Sequence, residues 1–201
     1  GYCMSHFTVA VFTPTGAEVD ELLAPFQEGG LDECPMDYLE FEEDDDYEVD
    51  DIKGVRGYWF NPNAKWDWYS VGGRWGGLLL VNGKKCDHAF ASQVDWYGME
   101  QERLKELEPF EACSARKWYK PEYFQKLYPT EEDYINANTM FSTYAVITPD
   151  GEWHAPGEMG WFGCSSESAD EGRTFKNQYW KNFIEPAIKN NWHITIVDCH
   201  I

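Results

Sequence analysis

Residues able to exchange protons stand near both ends of the sequence. Asp198 and His200 lie two positions apart in the predicted strand 192–201, and side chains two apart on a strand share one face. His6 lies in the β-branched and aromatic stretch 6–13, so it joins them if the first and last strands are neighbours. Imidazole and carboxylate groups held together serve as general acid and base. We therefore predict a catalytic group of His6, Asp198 and His200, suited to phosphoester hydrolysis.

The densest run of aromatic and glycine residues is Lys-Trp-Asp-Trp-Tyr-Ser-Val-Gly-Gly-Arg-Trp-Gly-Gly at 65–77. Glycine pairs on both sides of the Arg-Trp dipeptide permit a sharp turn with close backbone approach. An indole beside a guanidinium suits a planar or anionic ligand, through stacking and forked hydrogen bonds. The run therefore predicts a pocket for a small polar, nucleotide-type ligand, lined by Lys65, Trp66, Asp67, Trp68, Arg74 and Trp75.

The same run also fits a purely structural role. In that alternative the tryptophans at 66, 68 and 75 build a core, and Arg74 is buried against Asp67 as an ion pair. The stretch 53–74 is the most basic part of the first half of an otherwise acidic chain, which favours an anion site. Both interpretations stay open at this point.

A glycine-punctuated aromatic loop at 155–164 is a further candidate for one wall of the pocket. Its predicted ligand contacts are Glu158, as the exposed polar group, and Trp161. Alternatively, Trp161 and Phe162 fill the core where the chain crosses it.

Metal ligation is a third chemistry open to the histidines. Two imidazoles and a carboxylate are sufficient for a metal site with open positions, which would make the protein a metal-dependent hydrolase. The sequence, however, has no His-x₃-His or His-Glu-x-x-His spacing. We therefore predict no bound cofactor and keep the metal site as an alternative.

The net charge of the chain indicates which classes of partner it can bind. The chain has 16 Lys and Arg against 36 Asp and Glu, a net charge of −20, which repels phosphate backbones and anionic lipid. We expect neither non-specific nucleic-acid binding nor membrane binding. The acidic stretch at about 36–51 is predicted to be a solvated loop. A second functional hypothesis is that this loop occupies a basic groove of a host protein, as an inhibitor or nucleic-acid mimic.

Six dispersed cysteines, with no Cys-x-x-Cys pair and no leader, are typical of reduced thiols, so we expect a cytoplasmic protein. Period-two stretches at 6–13 and 192–201, hairpin signals at 82–83 and 149–151, and a helical stripe at 171–190 alternate along the chain. We predict one α+β domain over 1–201. Its sheet is mixed or antiparallel with the first and last strands central, and its helices pack on one face.

Four stretches together resemble a family of largely uncharacterised phage and bacterial proteins. The first is Ser-His-Phe-Thr-Val at 5–9, and the second is Asn-Pro at 61–62 followed by Lys-Trp-Asp-Trp-Tyr at 65–69 and Gly-Gly-Arg-Trp at 72–75. The other two are Gly-Glu-Met-Gly-Trp at 157–161 and Val-Asp-Cys-His-Ile at 197–201. The resemblance implies a phage-type accessory protein, active in the host cytoplasm. Such proteins frequently act against host defence, and small ones do so by sequestering or degrading nucleotide signals or by blocking a defence protein directly.

Overall fold

Two long strands from opposite ends of the sequence form the centre of the structure, a computed structural model that describes residues 5–115, 120–160 and 164–201. Strand β1 (His6–Thr13) pairs antiparallel with β10 (His193–His200) along its whole length, so that His6 lies opposite His200. Both stretches are rich in β-branched and aromatic residues, which fit a half-buried pleated surface. The predicted pairing of first and last strands is confirmed.

Shorter strands extend this pair into a mixed sheet of order β4-β10-β1-β8-β9. The strands β4 (Trp68–Val71) and β7 (His88–Phe90) pair with the two halves of β10, while β8 (Ala145–Ile147) runs parallel to β1 and pairs with β9 (Trp153–His154). The first and last strands are therefore central, as predicted for one α+β domain.

Each face of the sheet carries its own hydrophobic core. Ala10 and Phe12 belong to one core, and Phe7, Val9 and Val11 to the other, as the strand period of two requires. The helices are α1 (Val19–Leu23), α2 (Trp96–Glu106), α3 (Phe110–Ser114), α4 (Pro121–Leu127), α5 (Glu131–Thr139), α6 (Ala169–Tyr179) and α7 (Glu185–Lys189). Buried residues of α2, α6 and α7 line the first core, and the short α1 contributes to the second.

The predicted helix 171–190 is interrupted. A π-helical turn, Trp180–Ile184, separates α6 from α7, whose second residue is Pro186. Proline lacks the amide proton that would bond to residue 182 and its ring crowds that carbonyl, so the regular ladder breaks there. None of the helices among the described residues is long and apolar enough to cross a membrane.

The acidic stretch 36–51 differs from the predicted loop, because it contains a strand. Residues Glu40–Glu43 form β2, which pairs antiparallel with β3 (Gly57–Phe60). Phenylalanine at position 41 lies between glutamates, an alternation typical of a strand with two different faces. A second hairpin joins β5 (Leu79–Val81) to β6 (Lys84–Cys86) through the predicted Asn82-Gly83 turn.

Candidate functional site

The pairing of β1 with β10 brings His6, Asp198 and His200 to one end of the sheet, on one face. His6 lies directly opposite His200, and the centroids of the two rings are 5.0 Å apart. The His6 Nδ1 atom is 2.7 Å from Asp198 Oδ1, and the Asp198 side chain is only 3% exposed. The three predicted catalytic residues therefore lie together, and the contact partner of His6 is a buried carboxylate.

A second carboxylate serves His200. Asp67 Oδ1 is 2.6 Å from His200 Nδ1, and the Asp67 amide donates to the His200 carbonyl at 2.9 Å. In contrast to Asp198, the Asp67 side chain is 41% exposed. Each imidazole thus has its own carboxylate at Nδ1, one buried and one in contact with solvent.

These contacts determine which ring nitrogens remain for chemistry. A carboxylate only accepts hydrogen bonds, so Nδ1 of both His6 and His200 carries the proton. The Nε2 atoms are then the ones left to accept or donate. His200 Nε2 is buried and has no hydrogen-bond partner among residues 5–115, 120–160 and 164–201, a state that costs about 1–3 kcal/mol.

Trp68 covers this pair of rings. Its indole stacks on the His200 imidazole, with centroids 5.1 Å apart and planes inclined by 18°, and it meets His6 edge-on. The Trp68 side chain nevertheless remains 43% exposed. A large aromatic surface beside the histidines is therefore open to solvent.

The glycine-flanked turn is held against the same site by two carboxylates. Gly73–Trp75 forms a 3₁₀ turn in which the Arg74 amide donates to Asp198 Oδ2 at 2.9 Å. On the other side, the Gly77 amide donates to Asp87 Oδ1 at 2.6 Å. Gly73 has a φ of +51°, and a Cβ there would collide with the Asp198 side chain, so this close approach requires glycine.

Arg74 itself points away from the core. Its residue is exposed, and within the described parts of the chain its guanidinium has no hydrogen bond or ion pair. Asp67, its partner in the structural alternative, bonds to His200 instead. The prediction of a buried Arg74–Asp67 pair is therefore wrong, and Arg74 is an exposed cation whose backbone amide bonds to Asp198, the carboxylate that His6 contacts.

One of the predicted ligand contacts, Trp66, is a core residue, and a second, Trp75, is half-buried. Trp66 is 5% exposed, belongs to the second core, and donates its indole N–H to the Leu23 carbonyl at 3.0 Å. Trp75 packs against the first core. Trp66 precedes strand β4, which begins at Trp68, so the alternation of that strand does not place the two indoles on one face. The prediction that Trp66 lines the site is therefore wrong.

Two further predicted ligand contacts, Lys65 and Glu158, bind each other. Lys65 Nζ forms an ion pair with Glu158 at 2.7 Å, and the Glu158 side chain is 72% exposed. Lys65 is therefore already paired with a carboxylate. Trp161 lies outside the described residues.

Cys199 lies between Asp198 and His200 in sequence but points into the opposite core, where it is buried. Burial, with a smaller contribution from the Asp198 charge, raises the pKa of its thiol far above the usual range. A thiol held protonated is a poor nucleophile. Cysteine chemistry therefore has no support at this position.

Asp87 also contributes to the site, although it was not among the predicted site residues. Besides its contact with Gly77, its backbone carbonyl accepts from the Ile196 amide of β10 at 2.8 Å. It therefore fixes the turn to the central strand. The sequence gives no signal for this role. Asp87 follows a Lys-Lys-Cys hairpin strand without a recognisable motif, and the Ile196 amide that it binds lies more than one hundred positions later.

The site is a face of the molecule with Asp67, Trp68 and Arg74 exposed around the buried rings. Clefts of about 190–740 Å³ lie elsewhere, and none of them is lined by the residues of the two histidine–carboxylate pairs. Over residues 5–115, 120–160 and 164–201, no three His, Cys, Asp or Glu side chains are grouped so that they would hold a metal ion.

Comparisons of the chain with protein-family models, with curated proteins and with solved structures found no match in any of the three.

Proposed function

We propose that the face formed by His6, His200, Arg74 and Trp68 binds a small phosphate-bearing ligand of the nucleotide type and hydrolyses its phosphoester. The observation that carries the proposal is the paired arrangement of the two imidazoles. Each is oriented through Nδ1 by its own carboxylate, and the rings are in contact with each other.

Acid–base hydrolysis needs one group that takes a proton and one that gives a proton. In the proposed scheme, the Nε2 lone pair of one imidazole accepts a proton from the attacking water as the new P–O bond forms. The other imidazole, protonated at Nε2, donates its proton to the leaving oxygen as the old P–O bond breaks. The carboxylates of Asp67 and Asp198 hold the rings in the required tautomer and are not consumed. Each such group typically contributes about 10²–10⁴ to a rate.

The charge distribution supports a phosphate as the ligand's anionic part. Arg74 is exposed and uncompensated although the chain carries 36 carboxylates, and its backbone is fixed to Asp198. A guanidinium binds phosphate through two parallel hydrogen bonds. An anion held by Arg74 would therefore stand next to the histidines.

The exposed indole supports an aromatic base as the ligand's other part. Trp68 has one side stacked on His200 and keeps 43% of its surface exposed. Stacking of a nucleobase on an aromatic side chain contributes about 1–3 kcal/mol. The resemblance to phage proteins further supports a role in counter-defence, in which the ligand is a nucleotide signal of the host.

Calorimetric titration with three related probes tests the binding part. AMP should bind more tightly than ribose 5-phosphate, which lacks the base, and than adenosine, which lacks the phosphate. Arg74→Ala should reduce AMP affinity about 10- to 100-fold, the range expected for a charged hydrogen bond. Trp68→Leu should remove the preference for AMP over ribose 5-phosphate.

Hydrolysis is measured with bis(p-nitrophenyl) phosphate, which releases a coloured product. His6→Asn and His200→Asn should each lower the rate at least 100-fold, whereas His88→Asn, at an exposed histidine outside the site, should leave it unchanged. The proposal fails if AMP, ribose 5-phosphate and inorganic phosphate all bind no better to the native protein than to the Arg74→Ala variant.

A further inference from the structure

The hairpin of β2 and β3 concentrates the negative charge of the protein. Residues 31–60 contain twelve acidic and two basic residues, a net charge of −10 within a chain of −20. Both basic side chains are engaged inside the hairpin: Arg56 Nη1 donates to the Tyr47 carbonyl at 2.7 Å, and Lys53 lies over aromatic rings. Charge alone does not define a binding site, but the two faces of this hairpin differ in an informative way.

One face is already occupied by the chain's own lysine. Phe41 lies opposite Trp59, with ring centroids 5.3 Å apart. Lys53 Nζ lies 5.1 Å from the Trp59 ring and 5.9 Å from the Phe41 ring. Asp50 completes the group, because it accepts from the Trp59 indole N–H at 2.9 Å. This face thus combines an aromatic pair, a carboxylate and a cation.

The opposite face has the same components without the cation. Glu40 lies opposite Phe60, and Glu42 opposite Tyr58, so these four side chains share the second face. The Tyr58 ring lies 4.6 Å from Tyr47 and 5.7 Å from Phe60, and its hydroxyl donates to Glu42 at 2.9 Å. No basic side chain in the described parts of the chain forms an ion pair or cation–π contact with this face.

We propose that this second face, the Tyr47/Tyr58/Phe60 face, binds an arginine- or lysine-bearing segment of a partner protein. Tyr47 is 46% exposed, and Glu40 and Glu42 are exposed, so aromatic and carboxylate surfaces are both accessible. A cation over an aromatic ring gains from the ring quadrupole as well as from the nearby carboxylates. The net charge of the chain attracts such a segment and repels a second copy of the chain.

The spacing of the two glutamates indicates the shape of the segment. Glu40 and Glu42 are two residues apart on one strand, which separates their Cα atoms by roughly 6.5–7 Å. Basic residues at alternate positions of an extended segment have the same period. The fitting partner is therefore an extended peptide with arginine or lysine at every second position.

Fluorescence anisotropy with defined peptides tests this inference. The probe is a labelled, acetylated peptide of alternating serine and arginine, and the reference replaces each arginine with citrulline, its uncharged isostere. The arginine peptide should bind, and the citrulline peptide should bind at least tenfold more weakly. Tyr58→Leu and Glu42→Gln should each weaken arginine-peptide binding about twofold to fivefold, as expected for one exposed cation–π contact or ion pair.

Matched variants away from the hairpin distinguish binding at the Tyr47/Tyr58/Phe60 face from electrostatic attraction by the net charge of the chain. Tyr97→Leu, at a tyrosine 71% exposed on α2, and Glu106→Gln, on the same helix, make the same chemical changes and should leave binding unchanged. Tyr58→Phe, which keeps the ring if the leucine variant disturbs the hairpin, should bind within twofold of the native protein.

The inference is overturned if the citrulline peptide binds as well as the arginine peptide. It is equally overturned if Tyr97→Leu weakens binding as much as Tyr58→Leu, because attraction would then come from net charge alone. His6→Asn should not affect peptide binding. The peptide-binding surface and the proposed hydrolytic site are therefore tested independently of each other.

Discussion

Replacing Asp198 with asparagine should change both the stability of the protein and the tautomer of His6. Both carboxylate oxygens of Asp198 accept a hydrogen bond, one from His6 Nδ1 at 2.7 Å and one from the Arg74 amide at 2.9 Å. An amide offers one acceptor and one donor, so it cannot serve both. If its oxygen keeps the Arg74 contact, its NH₂ group faces His6 Nδ1, which must then carry the lone pair.

The magnitude follows from what the substitution removes. A hydrogen bond to a charged group contributes about 1.5–3 kcal/mol, which in a domain of this size corresponds to a fall in melting temperature of roughly 3–12 °C. The proton of His6 moves from Nδ1 to Nε2, which removes a base or misplaces an acid. Neutralising a buried carboxylate that orients a catalytic histidine lowers rates by up to about 10⁴ in a known triad.

Two measurements check this. Long-range ¹H–¹⁵N spectra of the histidine rings report which nitrogen is protonated, and thermal unfolding reports stability. Asp32→Asn, at an exposed aspartate, makes the same charge change and serves as the control. The reasoning is refuted if Asp198→Asn melts at the same temperature as the control and His6 keeps its proton on Nδ1.

Three further predictions concern stability and reactivity. Trp66→Leu should destabilise the protein by about 2–4 kcal/mol in denaturant unfolding because it opens a core cavity, whereas Trp68→Leu should change it by less than about 1 kcal/mol; equal losses would contradict this assignment. Burial, and then the neighbouring His88, lowers the pKa of His193, so the unfolded chain binds that proton first as pH falls below about 6.5. The free energy of unfolding should therefore decline below this pH, and less steeply in His193→Gln. Native protein should react rapidly with a thiol reagent at the exposed Cys164, and at Cys199 only after unfolding; early labelling of Cys199 would show that its core is open.

The strands that position the site were predictable because their signal is local. The alternation in 6–13 and 192–201 determines both the strands and their faces, and the β1–β10 pairing then brings His6 to Asp198. The Asn-Gly turn at 82–83 was predictable for the same reason, since two adjacent residues determine it.

The features of the site that were not predicted depend on contacts between residues far apart in the sequence or on where a strand begins. Trp66 and Trp68 are chemically alike and two positions apart, yet one is core and the other exposed, because strand β4 begins only at Trp68. The partner of His200 is Asp67, a contact set by the register of β4 on β10. Strand β2 was not predicted because its many glutamates are typical of a solvated loop, although its pairing with β3 is regular.

The central claim is that His6 and His200 act on a single bound phosphate compound. Titration of the native protein with AMP, followed through the imidazole ring resonances, tests it most directly. We predict that the signals of His6 and His200 shift together and saturate at one AMP concentration, while those of His88, His154 and His193 stay in place. Unchanged His6 and His200 signals at saturating AMP, or shifts confined to the other three histidines, would contradict the claim.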